Sequence, residues 1–395
     1  MNLCAYKCNR IVTLTGIQTG YILIQDDKIV DLVNKVDPKI DVVDYSDLIM
    51  LPGIIDVHNH GFAGWSMTDY ATIEEVQGYL KSLCSVGVTT VLPTAKPEAF
   101  ESIANVCTIG NSLGASVYGI HSEGPFWARG GENTVGESWP KPSVELTREY
   151  IDKANGCLKM MAIAPELEGA NDVIHYLHQH NIKVAACHTK AKSQEIKDAL
   201  KDGGFDIVTH LCNGMQGIHH RDVGALGQFL LTDNIYYELI ADLNHVCADM
   251  IGLILKLVGT DRICLISDSN YMANMPVGRY ERYGKEMIVD ENGLIKDVHG
   301  RICGSGKYVL FNMKQLMKYC GVSLVDVSKM ASYNPAKFLG IDHLTGSLGY
   351  GKYADFTVID DDFNCQATYV HGSLRYDVSL SNDLINPKAY ERKLG

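Results

Sequence analysis

Histidines and carboxylates close a series of short apolar runs in this chain. IIDVHNH ends in His58 and His60, VYGIHSE in His121 and Glu123, IKVAACH in His188, DIVTH in His210 and RICLISD in Asp268. Such groups are costly to bury unless they are paired or coordinated. His58 and His60 stand two apart, so on a strand they share one face. A single buried histidine or a helix cap explains any one of these positions; it does not explain the set. Several imidazoles and a carboxylate, with no thiolate required, suit a zinc or ferrous centre, or two such ions with Glu123 between them. Asp268 is left over as a proton carrier, because a metal lowers the pKa of a bound water toward roughly 7 and a nearby carboxylate can take its proton.

The elements that must position these residues are legible in the same runs. After Pro52-Gly53, strand-like stretches appear at 54–58, 88–92, 117–121, 160–166, 182–188, 206–210, 235–242 and 262–268. Amphipathic helix-length stretches separate them, at 71–86, 97–113, 144–156, 170–180, 192–202, 222–232 and 247–259, with a further helix near 305–319. Eight strand-then-helix units predict an α/β protein, a (β/α)8 barrel of the TIM type, whose strand C-terminal ends converge on one mouth. A doubly wound open sheet is the alternative, but no GxGxxG follows a strand, which removes its usual dinucleotide form. Residues 1–50 and 345–395 return to strand texture with glycine turns. They predict one small, discontinuous β domain beside a catalytic barrel of residues 51–344.

Bulk properties narrow the partners. The 395 residues are 46% hydrophobic and 21% charged, enough for a large core. Net charge is −12, with 35 basic against 47 acidic residues, which argues against a nucleic-acid or anionic-membrane partner. It leaves room for a small anionic substrate, since one arginine in a pocket can hold a phosphate. No apolar run is long enough to span a membrane, and the N-terminal stretch lacks a secretory pattern, so the cytoplasm is the expected compartment. The 12 cysteines include no CxxC pair, and several, such as Cys187 and Cys264, read as small buried hydrophobes.

The HxH after the first strand, the histidines after the fifth and sixth and the aspartate after the eighth together resemble the amidohydrolase superfamily. The closing TGSLGYGKYADFTVID resembles that superfamily's return into its small β domain. More narrowly, HSEGPF, CHTKA, THLCNGMQGIHHR, IADLNHV and LISDSNYMANMPVG resemble the N-acetylglucosamine-6-phosphate deacetylase family. That resemblance implies a divalent metal held by Glu123, His188 and His210. Some members hold a second metal on an HxH pair, here His58 and His60, so one ion or two is left open. It implies Asp268 as the catalytic acid/base, backbone contacts near a phosphate from Asn213 and Gly214, and His245 on the substrate. Arg221 matches a phosphate-binding arginine that reaches across from a neighbouring subunit, which implies a homodimer. The implied reaction removes the N-acetyl group from an amino-sugar phosphate, giving glucosamine 6-phosphate and acetate from N-acetylglucosamine 6-phosphate. Deacetylation of a galacto epimer or an unphosphorylated sugar, and another amidohydrolase-type amide hydrolysis, stand as alternatives. A non-catalytic scaffold is expected to have lost ligands, and here every matched position is filled.

The chain departs from that family in the loop GPFWARGGENTVGESWP, which lacks the family's sugar-contacting histidine; Glu132 or Asn133 lies nearest, with Trp127 and Trp139 as aromatic surface. The stretch RYGKEMIVDENGLIKDVHGRICGS predicts a β-hairpin turning at Glu291-Asn292-Gly293, placed to act as a lid. His121 is expected either to orient Glu123 or simply to pack.

Overall fold

The computed structural model describes residues 3–68, 70–110, 112–130, 138–282, 285–380, 384–390 and 393–394. Eight short strands run parallel: β1 (Ile54–Asn59), β2 (Val88–Pro93), β3 (Ile120–Phe126), β4 (Leu158–Ile163), β5 (Lys183–Ala186), β6 (Ile207–Val208), β7 (Tyr236–Leu239) and β8 (Ile263–Leu265). They form two hydrogen-bonded arcs. One pairs β1 with β2, and Ser116–Val117 lies on the other side of β2; the other runs from β3 to β8 in sequence order. Single parallel bridges, Thr94 to His121 and Asn59 to Ser269, link the arcs at both seams.

A helix follows each strand: α1 (Ile73–Cys84), α2 (Pro97–Ile109), α3 (Val144–Lys153), α4 (Ala170–Gln179), α5 (Ser193–Lys201), α6 (Gly224–Leu230), α7 (Ala248–Val258) and α8 (Val309–Cys320). Local chemistry sets their ends. Thr72 opens α1 with a reciprocal cap: its Oγ1 accepts the Glu75 N–H, and the Glu75 carboxylate accepts the Thr72 N–H. The expected helix 97–113 stops at Ile109, because Gly110 takes a left-handed φ of 64° and ends it. In α1, Val76, Tyr79, Leu80 and Leu83 form the buried stripe that faces the strands.

The strands alternate as their period requires. Met161, Ile163, Val184 and Ala186 pack outward among the helices. Met160, Ala162, Ala185 and Cys187 face a shared inner cluster with Ile55, Val57, Ile240 and Ile266. Phe338, Leu339 and Ile341 join that inner cluster. The third strand differs from expectation. It runs on to Phe126, so His121 and Glu123 both lie on it and share its inner face.

Strands from the two ends of the chain build a separate sheet, in the order Ser373–Asp377, Cys365–Val370, Phe356–Ile359, Ile49–Pro52, Leu3–Thr13, Gly16–Gln25 and Lys28–Val33, with Asp41–Asp44 also pairing with Leu3–Thr13. The rings of Tyr6, Phe356 and Tyr369 pack at its centre, 4.3–5.1 Å apart. Thr357 and Thr368 donate their hydroxyls to the Gly87 and Cys84 carbonyls at 2.7 Å, which ties this sheet to the α1–β2 connection.

The expected hairpin is present. Gly278–Arg282, Lys285–Val289 and Ile295–Asp297 pair antiparallel. The turn forms at 290–294, where Asp290 Oδ1 accepts the N–H groups of Asn292 and Leu294 and Gly293 has φ 71°. Its edge holds a difference. Lys393–Leu394, expected in the end sheet, pairs with Gly278–Arg282 instead.

Candidate metal centre

Six side chains from the strand ends meet at one point. Glu123 Oε1 lies 3.0 Å from both His188 Nε2 and His210 Nε2, and these two nitrogens are 3.3 Å apart. Glu123 Oε2 turns the other way, 3.2 Å from His60 Nε2. His60 Nε2 is 3.2 Å from His58 Nε2 and 3.3 Å from Asp268 Oδ1. Glu123 thus stands between a pair of imidazoles on each side, as the sequence reading required for a shared carboxylate.

Backbone conformation aims three of these groups. His188, His210 and Asp268 have φ of 42°, 29° and 46°. Non-glycine residues rarely adopt that region, and they persist in it where the surrounding structure enforces it. His188 follows Cys187, whose side chain joins the inner cluster, so regular alternation would point His188 outward. The left-handed turn brings it to the site.

The electrostatics favour positive charge among the carboxylates. Burial opposes charging His58, but Glu238 and Asp268 hold its imidazole well above the ordinary range. Burial also pushes the Glu123 and Asp268 carboxyls up. The hydrogen-bonded imidazoles outweigh it, holding Glu123 well below its usual range and Asp268 at about 2. His188 goes the other way, because burial there outweighs its contact with Glu123.

Two donor groups suit a cation directly. The ligand atoms of Glu123, His188 and His210 lie within 4.8 Å of one another, and so do those of His58, His60 and Asp268. All are nitrogen or carboxylate oxygen, the donor set of zinc and iron(II) sites. The residues present therefore fit a metal. One feature is unusual for such ligands. The buried Nδ1 atoms of His188 and His210 have no hydrogen-bond partner among the described residues. Packing holds His188 instead. The Trp127 ring stacks on it with centroids 4.2 Å apart and 29° between planes, and Gly214 backs it so closely that a Cβ there would sit 3.0 Å from Nδ1.

Sequence reading missed two carboxylates. Glu238 is fully buried on β7, its Oε2 2.8 Å from His58 Nδ1 and accepting the His210 N–H at 3.2 Å. It ties a histidine from each side of the cluster to one carboxylate. His58, His121 and Glu238 form a third donor group among the described residues. The only available signal was a glutamate inside the apolar run IYYELIAD. The second is Asp242, whose Oδ2 lies 2.8 Å from His245 Nδ1 and fixes that ring. His121 does not bond Glu123; it is buried, with Nδ1 3.3 Å from Thr94 Oγ1.

A cavity of about 880 Å3 opens over the cluster, lined by His60, Glu123, His188, His210 and Asp268 at its floor. Asn213, Gly214 and His245 are on its wall, with Trp127 and Trp139. Cys303 and Met287 bring the hairpin region to the same wall. Arg221 is absent from that lining; it is exposed, its N–H donating to His219 Nδ1. Glu132 and Asn133 lie outside the described residues.

Parallel strands that deliver imidazoles and carboxylates to one mouth define a hydrolase of the metal-centred α/β class. The chain belongs to the amidohydrolase family, whose model matches residues 49–375. Among relatives, it is 32% identical over 348 residues to the N-acetylglucosamine-6-phosphate deacetylase of Vibrio furnissii, covering 86% of each chain. It is also 32% identical to the N-acetylgalactosamine-6-phosphate deacetylase of Escherichia coli O157:H7, covering 82% of this chain and 87% of that one. The crystal structure of N-acetylglucosamine-6-phosphate deacetylase from Pasteurella multocida superimposes with a TM-score of 0.85 at 25% identity, over 94% of this chain and 99% of that chain.

Proposed function

We propose that this protein is a metal-dependent deacetylase of N-acetyl amino-sugar phosphates, acting first on N-acetylglucosamine 6-phosphate to release acetate and glucosamine 6-phosphate. The observation that carries it is the meeting of Glu123, His188 and His210 beside His58, His60 and Asp268 at the floor of one cavity. Glu123, His188 and His210 would hold a divalent ion, zinc or iron(II), and His58 with His60 would hold a second where one binds. Such an ion would make water more acidic, toward a pKa of about 7, and would polarise the acetamide carbonyl. Asp268, unprotonated and at the floor, takes the proton of the attacking water and returns it to the amine nitrogen as the C–N bond breaks. His245, its ring fixed by Asp242, orients the substrate from the wall. Asn213 and Gly214 present backbone to the phosphate end.

The same reading extends to architecture. The two seam bridges support a closed (β/α)8 barrel of residues 51–344, with the sheet from 1–50 and 345–395 as a small domain from which the strand Lys393–Leu394 departs. The exposure of Arg221 supports a homodimer in which it serves the neighbouring subunit's cavity. The hairpin of residues 285–297 acts as a lid.

A second reading, the galacto epimer as substrate, is favoured by the loop after Glu123. Trp127 and Trp139 lie 5.5 Å apart there, and a relative of equal identity is named for that epimer. Acetate release by metal-analysed protein from N-acetylglucosamine 6-phosphate, its galacto epimer and unphosphorylated N-acetylglucosamine separates the readings. Turnover of the first alone is expected. Turnover of the epimer alone assigns specificity to the loop, and no acetate from any sugar overturns the function.

A further inference from the structure

We propose that Arg129, on the loop after β3, is a phosphate-binding residue supplied to the cavity by the same chain. The proposal deepens the deacetylase reading and rests on it for the identity of the anion. Three observations place a binding corner there. The Arg129 Nη1 donates to the Met215 carbonyl at 3.2 Å, which leaves the other guanidinium N–H groups at the cavity rim. No described carboxylate pairs with Arg129, although the chain carries a net charge of −12. The N–H groups of Gly214 and Met215, on the same stretch of wall, meet no acceptor among the described residues.

The corner is also held still. The N–H groups of Ala128 and Arg129 both donate to the His188 carbonyl, at 3.1 and 3.0 Å, and the Thr189 N–H donates to the Gly214 carbonyl at 3.0 Å. The loop with the guanidinium and the loop with the free N–H groups are therefore both pinned to the His188–Thr189 segment. Backbone N–H groups beside a permanently charged planar fork are what a phosphate monoester's oxygens need. Lys96 is the other fixed cation among the described lining residues, but its ammonium is a point charge without the planar fork. Arg221 is not in this lining at all, so within one chain Arg129 is the guanidinium available to the substrate.

The test uses calorimetry on the metal-loaded protein, with glucosamine 6-phosphate and glucosamine as the two probes. Both carry the amine, so their difference reports the phosphate alone. Arg129→Gln is expected to weaken glucosamine 6-phosphate binding about ten- to hundred-fold, the size of a lost charge-assisted contact, and to leave glucosamine within about twofold. Arg129→Lys should recover part of the loss, since it keeps the charge and loses the fork. The proposal is overturned if Arg129→Gln changes nothing, if it weakens both probes equally, or if wild-type protein does not discriminate between them. It is also overturned if Lys96→Gln produces the selective loss and Arg129→Gln does not. Binding is read without turnover, so a protein that releases no acetate yet loses phosphate selectivity with Arg129 refutes the reaction and keeps the site.

Discussion

The floor and the rim of the cavity are built by different rules. At the floor, His58, Glu123, His188, His210, Asp268 and Glu238 come from different strands and lie close to one another, the three histidines and Glu238 buried. At the rim, Arg129, Trp139 and Lys96 reach in from loops and helix starts, each with few partners. A floor residue cannot change without disturbing several others, whereas a rim residue can. On the proposed function, strand ends set the chemistry and loops select the sugar.

The contrast can be broken or sharpened in descending steps. Asp268→Asn should lower kcat by about 10²–10⁴-fold, the usual contribution of a positioned proton carrier, with little change in metal content. Steady-state kinetics beside metal analysis checks it; parallel loss of metal would make Asp268 mainly a ligand. Glu238→Gln keeps the shape and removes the charge behind His58. It should weaken metal affinity about 10–100-fold in chelator competition, as loss of a supporting carboxylate does elsewhere. An unchanged affinity would reduce Glu238 to packing. Trp127→Ala removes the ring over His188 and should weaken metal binding by a few-fold, about the worth of one stacked aromatic contact, while Trp127→Phe restores it. Equal losses in both variants would show that the indole, not an aromatic face, is needed. Lys141→Ala, which removes an exposed surface pair with Glu168 outside the cavity lining, should leave Tm within about 1 °C and kcat unchanged. A larger effect would mean that the outer surface is coupled to the floor after all.

How much of this was legible in the chain follows the same division. The floor residues stood out because an apolar run that ends in histidine or aspartate is unusual, and parallel strands bring their ends together. Glu238 did not stand out. It sits inside its run, where a lone glutamate reads as the solvent side of a half-buried strand, and only the inward register of β7 reveals it. The left-handed turns at His188, His210 and Asp268 were also invisible, since none of the three is glycine or asparagine. Arg221, outside the lining, was found only through resemblance, and at the rim Arg129 was passed over because its partner Met215 lies 86 residues away. The pairing of Lys393–Leu394 with Gly278–Arg282 is a contact of still longer range, with no local pattern to announce it.

The end sheet has a consequence for how the chain is made. Ile49–Pro52, buried in the finished fold, has Phe356–Ile359 as its antiparallel neighbour. On the ribosome that neighbour is still unwritten when the first strand emerges. At about 5–20 residues per second, the intervening roughly 300 residues take some 15–60 seconds to translate. For that interval the apolar strand has an open edge, ready to pair with any other chain. Nascent chains that stall before Phe356 should therefore be the species that aggregate, and those released after Ser373–Asp377 should not.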